Sequence, residues 1–490
     1  MENLVVSANK KFTMEKYMSQ VKIVAQNGIK KILNISAKSN VVSCESNGGV
    51  VAISGKIKVD VLYLTQTDII DFASGETDFI EKQKSQFELH DLFAVDKNIV
   101  EDVNFSSNEM ICSVSHNTEI IGVYNYELPS FDNDAGAVVN HEFFKSSKFI
   151  CLAEDNFCVA ENSETNLSNV QILKSNAEVV VDDVVCSVDK VVIEGKVLAD
   201  VIYLDNDGCI LTMLKQIDFK QEIAAENVVP NMKALAYVNL KNSSVIFEEK
   251  DGKNELIYNF DVAVKSYVFE DCELSVAKDM FVLNNDISVV YDYIETKNYV
   301  EMVESAESVL TQTDITDIAN FDDIIGVFEP KIELTSIDDF ENKTEVNAKI
   351  SAYALYKGNN LIDKINIERE VKFEISKEIN KFVDDVYLNC QIVSFKVKAG
   401  KEIEIAFKFN CHANLAMKSY SRYVKNYEIV ASKLKDDAGI KVYVVKENQS
   451  VFDIAKALNV LPEMIISQNQ VDDVFEAGQK VYVYSPINLA

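Results

Sequence analysis

Proline and glycine are scarce in this sequence, at 5 and 15 residues in 490, so the signals that usually mark turns are weak and strand edges are read coarsely. Basic residues are short as well: 48 Lys+Arg stand against 78 Asp+Glu, a formal net charge of −30. That deficit argues against nucleic acid and anionic lipid as partners, because displacing counterions from phosphates takes clustered Lys and Arg, and no basic stripe occurs. An acidic surface suits a basic partner, or solvation alone. No run of 18 apolar residues is present to span a bilayer, so no membrane insertion is expected. Met1-Glu2-Asn3-Leu4-Val5-Val6 has no basic n-region, so no secretory signal is read and a cytoplasmic address is expected. Nine cysteines fall at irregular spacings, and the gap from Cys151 to Cys158 matches no zinc pattern; reduced core thiols are expected.

The signatures of bond chemistry are missing too. There is no phosphate loop, no Gly-x-Gly-x-x-Gly and no Gly-x-Ser-x-Gly elbow. His141-Glu142-Phe143-Phe144-Lys145 begins like a zinc helix but lacks the second His. Asp132-Asn133-Asp134-Ala135-Gly136 has Gly at the fifth place of a calcium loop and no acid at the twelfth. His90, His116, His141 and His412 are dispersed, and Cys411 and His412, adjacent on a strand, point to opposite faces. No catalytic, cofactor or metal site is therefore read, and a binding protein without enzymatic activity is expected.

What the chain does hold is apolar material, 48% of it, with 26 Phe and 20 Tyr, enough for several packed interiors. It also holds a repeat. Gly55-Lys56-Ile57-Lys58-Val59-Asp60-Val61-Leu62-Tyr63-Leu64 returns as Gly195-Lys196-Val197-Leu198-Ala199-Asp200-Val201-Ile202-Tyr203-Leu204. A more diverged copy reads Ala348-Lys349-Ile350-Ser351-Ala352-Tyr353-Ala354-Leu355-Tyr356. The period is too long for a solenoid, so tandem domains are expected. Ile57, Val59, Val61 and Tyr63 share one face, the alternation of a strand with a buried side. Asp60 and Asp200 recur and become Tyr353 in the third copy; they are read as marking the exposed side. Tyr63, Tyr203 and Tyr356 are read as core or rim aromatics. A second alternating pair, such as Tyr237-Val238-Asn239-Leu240 with Glu255–Val262, makes two hairpins per copy. The expected fold is mainly β: three antiparallel sandwich-like modules at 1–150, 151–300 and 301–431, a linker at 432–440 and a small domain at 441–487.

The last segment changes pattern. Tyr443-Val444-Val445 alternates as a strand, and Ser450 with Asp453 predicts a capped helix to Leu458. Pro462 opens a second helix, and Val481-Tyr482-Val483 closes with a strand. This β-α-α-β run resembles a LysM domain through Tyr443-Val444-Val445, Ser450, Ile454-Ala455, Asn469 and Gly478-Gln479. Asn448-Gln449 stand where the family usually has Gly-Asp. The resemblance implies a groove for N-acetylglucosamine glycans such as peptidoglycan, walled by Asn448, Gln449, Ser450, Val451 and Phe452 facing Gln468, Asn469 and Gln470. Amides there suit sugar hydroxyls and equally suit ordinary turns. If the groove takes a protein instead, Val451, Phe452 and Phe475 are expected as exposed anchors.

The repeated strands ahead of this C-terminal segment resemble spore-coat assembly proteins of the SipL type, whose module is the SPOCS domain (DUF3794). That resemblance implies a scaffold made in the mother cell, seated on the forespore surface and bound to the coat ATPase SpoIVA, with other coat proteins as candidate further partners and the LysM as recruitment module. The alternative is a peptidoglycan-binding accessory of cell-wall or cortex assembly.

Overall fold

The computed structural model describes residues 2–206, 209–250, 253–315, 321–358, 361–398, 402–432, 439–469 and 474–484. Within them the chain is mainly β, every strand pairing is antiparallel, and two short helices occur near the C-terminus. None of these helices is long and apolar enough to cross a membrane.

The first unit runs β1 (Glu2–Thr13), β2 (Tyr17–Val24), β3 (Ile29–Asn47), β4 (Val50–Thr65), β5 (Ile70–Lys84), β6 (Leu89–Phe105) and β7 (Glu109–Ser130). Strands β3-β4-β5 form a meander, while β7 lies between β6 on one side and β1 and β2, end to end, on the other. The second unit repeats this plan with β8 (Ala137–Thr165), β9 (Gln171–Ser187), β10 (Lys190–Leu204), β11 (Ile210–Ala224), β12 (Lys233–Lys250) and β13 (Lys253–Val282). So does the third, with β14 (Asn285–Asp314), β15 (Phe321–Asp339), β16 (Lys343–Gly358), β17 (Leu361–Ser376), β18 (Lys381–Lys398) and β19 (Glu402–Ser432). In the second and third units one long first strand pairs with the last, where the first unit uses β1 and β2 in succession, and in each the meander forms the second sheet. Strands β8 and β14 run through positions 150/151 and 300/301, because the spacing of the repeated strand sets a period and not where a unit begins.

The repeated strand is the middle one of each meander. Ile57, Val59, Val61 and Tyr63 have no accessible surface and line the core between the two sheets of the first unit. The repeated glycine has a steric cause. A Cβ on Gly55 would lie 2.3 Å from the Asn40 carbonyl and 2.8 Å from the Phe79 ring; on Gly195 it would lie 2.3 Å from Val180 and 2.7 Å from Phe219. In the third copy the cross-strand partner is Val371, and Ala348 fits. A bulky ring covering a glycine across the ladder is a recurrent way of filling a sheet. Many tight turns meanwhile use Asn and Asp: Asp189, Asn227, Asn284, Asn380 and Asn459 all have positive φ. These residues tolerate the left-handed region, which explains why so few glycines suffice.

The C-terminal unit runs β20 (Ile440–Val444), β21 (Gln449–Ser450), α1 (Val451–Leu458), α2 (Pro462–Asn469), β22 (Val474–Phe475) and β23 (Lys480–Tyr484). β20 pairs with β23 and β21 with β22. Ser450 caps α1 in a complete capping box: its Oγ accepts from the Asp453 N–H at 3.1 Å, and the Asp453 carboxylate accepts from the Ser450 N–H.

Candidate functional site

Two places gather side chains that the sequence keeps apart. The first is the junction of the three units. The far ends of the repeated strands meet in one cluster, with Leu62 and Leu64 from β4, Ile202 from β10, and Tyr353 and Leu355 from β16. The far end of the face opposite the cores is therefore covered by neighbouring units, while Lys56 and Lys58 nearer the start of β4 stay exposed. Asp60 is consequently buried and ion-paired to Lys58 at 3.1 Å, and Tyr353 is buried too, which corrects the reading of these positions as an exposed side.

Polar groups thread the same junction. Lys174 on β9 pairs with Glu329 on β15 and donates to Ser36 Oγ on β3 at 2.7 Å. Glu329 also accepts from Asn34 at 2.7 Å and Asn176 at 3.0 Å, so one carboxylate ties all three units. It reaches inward from a left-handed backbone, φ 49°, in the irregular stretch between Phe328 and Lys331. Burial pushes the Glu329 carboxyl up, but Lys174, Lys331 and Asn34 more than offset this and hold it below its ordinary value. Asp200 accepts from the Glu329 N–H at 3.4 Å and is pushed up to about 6 by burial and by the Glu329 charge. A second junction, of Phe93, Tyr237, Tyr267, Phe269 and Tyr299, joins the other sheets; the Tyr267 hydroxyl donates to the Asp91 carbonyl at 2.5 Å.

The second place is the C-terminal unit. Val451, Phe452 and Phe475 lie in its core rather than on its surface, because the α1 face that carries the first two packs inward and against the second unit, and Phe475 of β22 joins the same cluster. The Phe452 ring meets Phe281 of β13 at 5.5 Å, Lys456 pairs with Asp279 at 2.6 Å, and Asn459 Oδ1 accepts from the Asn284 N–H at 3.1 Å. Gln468 and Asn469 turn onto the backbone of β23. Asn469 accepts from the Tyr482 N–H and donates to its carbonyl, both at 2.8 Å, and Gln468 treats Tyr484 in the same way at 2.6 and 3.2 Å. These two amides act as a further rung of the ladder. Asn448 is exposed, and Gln449 accepts from the Tyr443 hydroxyl at 3.1 Å. Gln470, and most of the stretch read as a linker, lie outside the described residues.

With this geometry in hand, comparison with known families is informative for the second unit. Residues 170–248 match the family model described as SipL, SPOCS domain. The matched segment spans β9, β10, β11 and most of β12, and so includes Lys174, Asn176 and Asp200 of the junction. No curated protein and no solved structure matches the chain.

Outside the matched segment, the first unit holds a constellation that sequence reading missed. His116 Nδ1 lies 2.7 Å from Asp96 and its Nε2 2.8 Å from Ser19 Oγ, while Thr118 donates to the other Asp96 oxygen at 2.7 Å. The order Ser–His–Asp is that of a nucleophilic triad. The surroundings differ from those of a triad at a cleft: Asp96 and His116 have no accessible side-chain surface, and Tyr17 stacks on the imidazole at 4.3 Å with Phe79 at 4.9 Å. Covered in this way, the ring pins β2, β6 and β7 together. Ser19 is expected to resist a fluorophosphonate probe under conditions that label an activated serine; labelling of Ser19 that is lost in His116→Ala would establish a nucleophile instead. No spacing rule could have found this set, since its members come from three strands. His141, by contrast, lies on strand β8, bonded to Asp132 and Ser275 at 2.8 and 3.0 Å. No cluster of three or more metal-ligating His, Cys, Asp or Glu occurs among the described residues.

Proposed function

We propose that this protein is a non-enzymatic scaffold of spore-coat assembly that binds the coat ATPase SpoIVA, with the C-terminal unit, read as a LysM domain, as its recruitment module. The observation that carries the reading is the SPOCS match at 170–248. It is supported by the recurrence of that unit's strand plan on both sides, which gives three units with large surfaces of the kind protein partners use. The order β20-β21-α1-α2-β22-β23 supports the LysM reading. The commitment of Gln468 and Asn469 to β23 favours a protein partner over peptidoglycan, because amides already bonded to backbone have little left to offer sugar hydroxyls. On this reading the protein works in the mother-cell cytoplasm at the forespore surface.

The test is capture of purified SpoIVA by the full chain and by a chain ending at Ser432. The full chain is expected to retain the ATPase and the truncated chain to lose at least about tenfold in affinity, roughly 1.4 kcal/mol. Equal retention by both would remove the C-terminal unit from the interaction. If neither retains SpoIVA and the full chain sediments with peptidoglycan, the accessory reading replaces the scaffold.

A further inference from the structure

A cavity of about 340 Å³ opens where the second and third units meet, beside the junction described above. Its size is at the small end of the range for small-molecule sites. Val327 and Ile392, both buried, form its inner wall, and Leu214 and Phe395, 41% and 38% exposed, stand at its mouth. Three polar side chains line the cavity alongside them, Asp200 from β10, Thr212 from β11 and Ser394 from β18.

The Asp200 carboxylate is half satisfied. Oδ2 takes the long bond from the Glu329 N–H, while Oδ1 is shielded from solvent and has no hydrogen-bond partner among the described residues. An unpaired carboxylate oxygen in such a place is costly, and a cation that brings its own donors relieves the cost. A hard metal ion would ask for several oxygens and no such cluster is present among the described residues. A guanidinium would ask for two coplanar acceptors, whereas an ammonium acts as a point charge satisfied by one carboxylate oxygen and a hydroxyl. The apolar walls and mouth suit a methylene stem, which lysine-like chains lay along apolar surface behind their charged end.

We propose that this cavity binds a primary alkylammonium group, with Asp200 as its counter-ion, Thr212 as a second acceptor and Leu214 and Phe395 flanking the stem. The proposal stands apart from the scaffold reading and survives its failure. A free amine and a lysine side chain of a partner share this chemistry.

The experiment titrates the full chain at pH 7.5 with n-pentylamine, 1-pentanol and Nα-acetyl-lysine methylamide, followed by calorimetry. Pentylammonium is expected to bind saturably and 1-pentanol at least about tenfold more weakly. Asp200→Asn is expected to lose roughly ten- to a hundredfold for pentylammonium, in line with a charge-assisted hydrogen bond. The amide oxygen can still accept from the Glu329 N–H, so the fold is expected to persist. Leu214→Lys, at a half-exposed position, supplies a tethered ammonium and is expected to block pentylammonium while leaving the melting profile intact. Binding of the lysine derivative as tightly as the free amine assigns the site to a partner's side chain; preference for the free amine assigns it to a small ligand. Either supports the proposal. Affinity is also expected to fall as pH drops through about 6, where Asp200 takes up a proton; Glu329 from β15, Lys174 from β9 and Lys38 from β3 are the charges that bear on it. Equal binding of 1-pentanol, or unchanged binding in both Asp200→Asn and Leu214→Lys, would overturn it.

Discussion

Alanine at Glu329 is expected to destabilise the three-unit junction by about 3–5 kcal/mol, because it leaves the Lys174 ammonium buried without its partner. Lys174 and Glu329 are 4% and 8% exposed, so solvent does little to screen the loss. Asn34 and Asn176 lose their acceptor in the same step. Amide exchange in β3, β9 and β15 is expected to accelerate roughly a hundred- to a thousandfold, with the cores inside each unit less affected. A paired change, Lys174→Met with Glu329→Leu, is expected to recover part of the loss, since apolar replacement of a buried ion pair is often tolerated. If Glu329→Ala leaves exchange in these strands unchanged, the pair does not hold the units together. The pH dependence has a definite sign. The folded carboxyl of Glu329 lies below its unfolded value, so its contribution is present above the ordinary glutamate range and is lost as pH falls through the folded value.

Phe452→Ala is expected to unfold the C-terminal unit while residues 2–432 remain intact. Truncating a buried phenylalanine costs about 3–5 kcal/mol, and a unit of this size has little more than that to lose. The ring is 9% exposed and packs with Ile454, Ala455, Ile465 and Phe281 in one cluster. Limited proteolysis is expected to strip the C-terminal unit from the variant at protease concentrations the parent withstands. Lys456→Ala is the contrasting control: its pair with Asp279 is partly exposed, at 41% and 25%, and a change below about 1 kcal/mol is expected. Unaltered protease resistance in Phe452→Ala would mean that Phe452 is not part of the core.

The two forecasts differ in how far the sequence foretells them. Alternation at Ile57, Val59, Val61 and Tyr63 identifies a strand without any structure, because side chains on a pleated backbone alternate between faces. The same alternation finds the hairpin strands at Tyr237–Leu240 and Glu255–Val262, which lie on the paired strands β12 and β13 and meet at Leu240 and Val262. Ser450, Asp453 and Pro462 mark the helix starts because capping and a fixed φ are local chemistry. Alternation cannot say whether the second face of a strand meets water. The polar Asp60 and Lys174 look solvent-facing by type, and only the packing of unit against unit buries them. Phe452 misleads in the same way, since a large apolar residue beside a loop is equally an exposed anchor or a core residue until Phe281 is placed against it.

Local rules thus decided the strands, the helix caps and the acidic surface, for these depend on neighbours one to four residues away or on composition, and the repetition was legible by comparing one stretch of sequence with another; the phenylalanine that covers each recurring glycine came only from strand pairing. Tertiary structure alone decided that three units share a junction, that Glu329 neutralises a lysine 155 residues away, and that Ser19, Asp96 and His116 meet. It alone joined Asp200 to apolar walls from another unit. These facts rest on distances between strands far apart in the chain, and such distances are set by how whole sheets pack rather than by any short pattern of residues.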